Sequence, residues 1–133
     1  MARRLTVNPA DAVPIWKQIE DGVRGMVAAG ALARGAPVPS VRELAKDLRV
    51  NPATVAKAYQ RLCDAGVLAV KRGEGTFVAD SPPQPGKTER QRILREGAER
   101  YAGVAMAAGA GLGEAGDELE RVWARWTGEG GRP

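Results

Sequence analysis

Apolar residues return at steps of three and four through Ile15, Trp16, Ile19, Val23, Met26 and Val27. That spacing lays them on one face of a helix over residues 14–29, with Pro14 suited to its first turn and Gly30 to its end. Ahead of it, LTV at residues 5–7 predicts a short strand that adds to a small sheet. The stretch ARGAPVPS reads as a loop, by its glycine and two prolines, and delivers Ser40, which heads a Ser-x-x-Glu capping box with Glu43. Val41, Leu44, Ala45 and Leu48 then fall at i, i+3, i+4 and i+7, the inward stripe of a second helix, and Arg42 is left on the outer side of its first turn. After a tight turn at Arg49 and Val50, Asn51 caps a third helix with Pro52 at its first position. Its buried stripe is Val55, Ala58, Tyr59, Leu62 and Cys63, and Gly66 closes it. Two helices so joined read as a helix-turn-helix. VLAVKRGEGTFV, residues 67–78, gives two β-like runs about a glycine-bearing tip, a hairpin directly after the third helix. Helix, helix, helix, hairpin is the layout of a winged helix-turn-helix.

The pattern changes at DSPPQPGKT, whose three prolines and glycine make a semi-extended linker. Residues 1–80 are therefore read as one domain, 81–88 as the linker and 89–133 as a two-helix segment with a disordered C-terminal tail. In that segment Leu94, Ala98, Tyr101, Ala105, Ala108 and Leu112 repeat at alternating steps of four and three, a heptad-like seam. GAGLGEAG breaks the seam, and Leu119, Val122, Trp123 and Trp126 form the stripe of a last helix of roughly three turns. Two such helices cannot cover both stripes alone, and a second copy of the chain is the simplest supplier. The expected fold class is mainly α with a small β-wing: a winged helix-turn-helix domain followed by a two-helix C-terminal dimerisation segment.

Charge narrows the partner. The chain carries a net +4, and residues 34–72 hold eight basic residues against three acids, a balance of +5, whereas from Ser81 onward eight of each sign cancel. A basic segment beside a neutral one points the first at a polyanion. The sequence contains no histidine and one cysteine, Cys63, so an intrachain disulfide, the usual zinc and haem ligand sets and a histidine general base are all excluded. No cofactor, metal or catalytic residue is assigned. With no apolar run long enough to span a bilayer and no apolar core in the first residues, neither a membrane segment nor a signal peptide is read, and a cytoplasmic location is expected. GLGEAG at residues 111–116 is literally G-x-G-x-x-G, but it follows a helix and leaves too little chain for a βαβ unit, so it reads as a helix-breaking connection.

Residues 37–78 carry a specific resemblance. P-S-V-R-E-L-A, a turn, N-P-A-T-V, then L-C-D-A-G-V-L and a basic, glycine-bearing wing resemble the GntR family of bacterial transcription regulators, and PIWKQI at residues 14–19 resembles the opening of that family's first helix, with Trp16 where tyrosine is usual. A tail of two short helices resembles the YtrA-like subgroup. The resemblance implies a dimeric repressor that binds double-stranded operator DNA, often of transporter operons, with the tail helices serving dimerisation. Arg49 departs from the small residue, commonly glycine, expected in the turn. Ala56 stands where some subgroups carry arginine, so an operator sequence cannot be borrowed from them.

On that footing a DNA-binding set is expected. A helix start entering a major groove must be free of bulk, as Pro52, Ala53 and Thr54 are, with Asn51 at the cap and Lys57 one turn on. Read blandly, Asn51 and Pro52 are only a cap and a first-turn residue. Arg42 matches the family's arginine, and its planar guanidinium suits a guanine edge or a phosphate. Ser40 is a cap first and a phosphate contact second, while Arg49 offers an extra phosphate contact. In the wing Lys71 and Arg72 can reach a phosphate or the minor groove, with Gly73 and Gly75 permitting close approach. The alternative reading is a protein-interaction module whose C-terminal stripe receives a foreign helix. No effector is identified by the sequence; Tyr101, Trp123 and Trp126 are one place for an apolar cleft, and a dimer core is the plainer use of them.

Overall fold

The computed structural model describes residues 5–128 of the chain. They divide into two compact units, with the boundary between Pro83 and Gln84.

In the first unit, α1 (Ile15–Ala28) starts after Pro14, which lacks the N–H that a helix start would leave unpaired. It buries Ile19, Val23 and Met26 completely. Residues 5–7 form no strand, contrary to the pattern. Leu5 is instead a plug: it is buried, and a Cβ placed on Gly22 would lie 2.3 Å from its Cδ1, so the missing side chain of Gly22 is the slot that Leu5 fills. The intervening loop is fastened by Gln18, which accepts from Asn8 N–H at 2.8 Å and donates to the carbonyls of Asn8 at 3.0 Å and Val13 at 2.8 Å.

Ser40 caps α2 (Val41–Leu48) with both bonds of the capping box present, Glu43 N–H to Ser40 Oγ and Ser40 N–H to Glu43 Oε1, each 3.1 Å. Asn51 caps α3 (Pro52–Asp64), its Oδ1 accepting from Ala53 N–H at 2.8 Å. Such caps contribute about 1 kcal/mol each. Gly66, at φ 77, turns the chain out of α3. β1 (Leu68–Lys71) and β2 (Gly75–Val78) pair antiparallel, Leu68 opposite Val78 and Lys71 opposite Gly75. The sheet gains its third edge from the loop before α2: Val38 N–H donates to Thr76 O at 3.0 Å, Val78 N–H to Ala36 O at 2.8 Å, and Pro37 bridges Phe77. Prolines at 37 and 39 disguised this edge, since they supply no N–H and suit an outermost position. Leu44, Val55, Ala58, Leu62, Leu68 and Val78 close the core against α1. Cys63, expected in the buried stripe, is only half-buried.

The second unit is a helical hairpin of α4 (Lys87–Ala107) and α5 (Leu112–Thr127). The break between them is shorter than the glycines suggested. Gly113 and Gly116 lie inside α5, which runs for 16 residues rather than three turns. Each glycine costs a helix only about 1 kcal/mol, and Glu114 in the first turn favours the helix start. Leu112 therefore opens α5 and does not continue the α4 seam, while Ala108 caps α4. Ala105 is the one buried apolar residue described in this unit. Tyr101 ties the helices by donating its hydroxyl to Ala115 O at 2.7 Å. The disordered tail expected at the C-terminus lies outside the described residues beyond Gly128.

Candidate nucleic-acid interface

The turn between α2 and α3 is held in a single shape. Arg49 adopts φ 58, ψ 49 and is the one non-glycine residue with positive φ among the described residues. Val50 N–H donates to Ala45 O at 3.0 Å, closing the six-residue ring by which a left-handed residue ends a helix. Tyr59 then ties the middle of α3 to the chain entering α2: its hydroxyl donates to Pro39 O at 2.7 Å, and burial holds the phenol well above its ordinary pKa, so it stays a donor.

The described residues of this unit expose small uncharged side chains at the start of α3 and several basic ones on α2, the turn and the wing. On α3, Pro52, Ala53, Ala56, Lys57 and Gln60 are exposed, whereas Thr54 is half-buried. Gln60 is engaged with Asp64 at 2.8 Å. Ala53, Ala56 and Gln60 lie three and four residues apart and so share one outward stripe. Arg34, Arg42, Lys46, Arg49 and Arg72 are exposed, and none has an acid within 4.0 Å among the described residues. The acid-paired cations of this unit belong to the α1 side instead: Lys17 with Asp21 at 3.2 Å, and Arg24 and Arg61 with Glu20 at 3.3 and 2.9 Å. Glu43 does not neutralise Arg42; its carboxylate is held by the Ser40 N–H and hydroxyl, which keep its pKa below the usual glutamate range.

At the wing tip Glu74 N–H donates to Lys71 O at 2.9 Å, and Gly73 and Gly75 take φ 79 and 121 with open space where side chains would be. Lys71 lies with Nζ 4.6 Å from the centre of the Phe77 ring. Between α1 and α3, Lys57 Nζ stands 4.4 Å, and the Arg61 guanidinium 4.8 Å, from the centre of the Trp16 ring.

The expected residues thus divide. Arg42, Arg49, Asn51, Pro52, Ala53, Lys57, Lys71, Arg72, Gly73 and Gly75 are exposed on the first unit. Ser40 Oγ and Asn51 Oδ1 each accept a backbone N–H as caps, and both residues remain exposed. In the second unit Leu94, Leu112, Leu119 and Trp123 are exposed, Tyr101, Val122 and Trp126 half-buried. Sequence reasoning passed over Lys46, Trp16 as a seat for cations, and Glu20, which is 2 % exposed. The signal for Glu20 was present: an acid interrupting an apolar stripe needs a cation from elsewhere in the fold. Its partner Arg61 lies 41 residues away, beyond the reach of any local pattern.

Comparisons with known proteins agree with this architecture. The profile described as bacterial regulatory proteins, gntR family, matches residues 16–78. The transcriptional repressor YtrA of Bacillus subtilis (strain 168) is 30% identical over 108 residues, covering 77% of this chain and 83% of YtrA. Among solved structures, YtrA from Sulfolobus acidocaldarius, a GntR-family transcription factor, superposes with a TM-score of 0.57 at 32% identity, over 72% of this chain and 97% of that one. The DNA-binding domain of AraR in complex with operator ORX1 does so at 0.50 and 27% identity, over 56% and 93%. No described helix is long and apolar enough to cross a membrane. With its winged helix-turn-helix and its pair of C-terminal helices, the chain belongs to the GntR family of bacterial regulatory proteins: it is a DNA-binding transcription regulator and not an enzyme.

Proposed function

We propose that the protein is a homodimeric repressor that binds a two-fold symmetric operator, each protomer laying the start of α3 in a major groove with the wing alongside. The observation that carries this is a set of exposed cations, Arg42, Lys46, Arg49 and Arg72, with no acid within 4.0 Å among the described residues, on the helix-turn-helix and wing whose α3 opens on the exposed, small Pro52 and Ala53. The cations take phosphates and the small first turn leaves room for base edges. Arg42, with no carboxylate within 4.0 Å among the described residues, is the reader of a guanine edge.

The second unit supports the dimer. Ile93, Leu94, Val104, Met106, Leu112, Leu119 and Trp123 are all exposed large apolar residues, and the Trp126 indole N–H is shielded from water without an acceptor. A surface of this kind marks a partner, and a second copy with the same two stripes is self-complementary. The regulated genes follow only from the resemblance, which makes a neighbouring transporter operon the first place to seek the operator.

The test is a footprint and titration of purified protein on the DNA upstream of its own operon. Two symmetric protected half-sites are expected, with Arg42→Ala weakening binding about tenfold to a hundredfold. Sequence-indifferent binding that Arg42→Ala leaves unmoved would sink the reading. Sedimentation of the full chain and of Trp123→Glu checks the dimer: loss of dimer and of operator affinity together supports it, and an unchanged dimer speaks for a different interface or for a foreign helix on this face.

A further inference from the structure

The first unit has three aromatic rings among its described residues, Trp16, Tyr59 and Phe77. Two of them carry an ammonium group: Lys57 on Trp16 at 4.4 Å and Lys71 on Phe77 at 4.6 Å. Neither lysine has an acid within 4.0 Å among the described residues. One turn beyond Lys57, Arg61 shares the Trp16 ring but commits its Nε to Glu20 at 2.9 Å. Trp16 and Glu20, one turn apart on α1, thus face Lys57 and Arg61, one turn apart on α3. Only the arginine is neutralised.

The difference between these seats matters for a polyanion. A carboxylate fixes a lysine but cancels the charge that a phosphate would feel. The face of an aromatic ring fixes it through the ring quadrupole, an attraction worth a factor of about two to five in an equilibrium constant at exposed sites, and leaves the full charge in place. The ammonium keeps N–H donors directed away from the ring. A lysine already held also has less rotamer freedom to lose when a phosphate arrives.

We propose that Trp16 and Phe77 are positioning residues, aromatic platforms that hold Lys57 and Lys71 as pre-aimed, un-neutralised donors to backbone phosphates of the bound duplex. The proposal rests on the reading of α3 and the wing as the DNA face. It assigns the two lysines to affinity and register, and leaves base selection to Arg42 and the small residues of α3.

Phosphate contacts are blind to sequence, so the full chain can be titrated on a mixed-sequence duplex of about 30 bp across a salt series. Lys57→Ala and Lys71→Ala should each flatten the slope of log affinity against log salt by about 0.9, the share of one neutralised phosphate. Trp16→Leu and Phe77→Leu should each weaken binding about twofold to fivefold. That loss should vanish when the partner lysine is already alanine, and should be largely recovered in Trp16→Phe and Phe77→Tyr, which keep a ring. Melting curves of each variant run alongside. A ring substitution that costs the same factor with and without its lysine, or that a conservative ring fails to recover, overturns the platforms and leaves the DNA face standing. Lysine substitutions that change neither affinity nor slope remove both lysines from the DNA face, and the platforms with them.

Discussion

At Arg49 two demands meet in one residue. The left-handed turn suits glycine, because an L side chain there crowds the following carbonyl, yet the chain carries at this point an exposed guanidinium with no acid within 4.0 Å among the described residues. Arg49→Gly should stabilise the fold by about 1 kcal/mol, read in a urea or thermal melt. It should also weaken duplex binding and flatten the salt slope by about 0.9. Stability and affinity moving in opposite directions would identify strain retained for binding, whereas an Arg49→Gly chain that binds as well as the parent would reduce Arg49 to an ill-suited turn residue. Glu20 presents the reverse case, a buried acid that serves the fold. Burial pushes its carboxyl up, but the bonds from Arg61 and Arg24 and the charge of Lys17 outweigh this and hold it below 4.5. A carboxyl lowered in the folded state stabilises above its unfolded value and loses that contribution as pH falls through the folded one. The parent should hold its stability from neutral pH to about the ordinary glutamate range of 4.5 and decline beneath it. Glu20→Gln should start about 1–2 kcal/mol lower and show a shallower acid decline in melts taken from pH 7 downward. An unchanged acid profile would assign that decline to other groups.

Among the elements, α3 divides its labour along its length. Val55, Ala58, Tyr59 and Leu62 hold it to the core, and Ala53 and Ala56 face out with nothing longer between them. Ala53→Leu puts bulk on that outward face without touching the core, so stability should shift by no more than about 0.5 kcal/mol. Operator affinity should fall at least about tenfold as the helix is lifted from the groove, a loss of roughly 1.4 kcal/mol. Equal affinity in a titration would show that this stripe does not enter DNA. The helices, their caps at Ser40 and Asn51 and the hairpin were all legible in the sequence, because each is specified by residues within a few positions of one another. What was not legible is long-range. The third edge of the sheet came from a proline-flanked loop, Leu5 filled a slot made by Gly22, and Trp16 met Lys57 across 41 residues of chain. In α5 the glycines at 113 and 116 carry the local signature of a break, but a helix of 16 residues outweighs the roughly 1 kcal/mol that each glycine costs.

For the molecule as a whole, the charge balance and the exposed apolar residues differ between the two ends of the chain. Residues 34–72 carry +5 and residues from Ser81 onward carry none net, so phosphate attraction belongs to the first unit while the exposed apolar residues of α4 and α5 offer contact to another protein surface. If that surface is a second copy, two recognition helices are tied together, and the second half-site is bound from an effective concentration rather than from solution. The tie is geometric as well as energetic. Major grooves return to the same side of a duplex every turn, about 10 bp. Inserting about 5 bp between half-sites turns the second one away, and affinity should fall about a hundredfold toward that of a single protomer. Inserting a full turn of about 10 bp restores the face while lengthening the span, so recovery should be partial and should measure how far the hairpins and the linker can stretch. Trp123→Glu should abolish the distinction, binding all three duplexes alike and weakly, because protomers that no longer pair cannot sense the distance between half-sites. Titration of both chains on the three duplexes separates a dimer that reads spacing from a monomer that reads only sequence, and indifference of the parent chain to the 5 bp insertion would refute the paired arrangement.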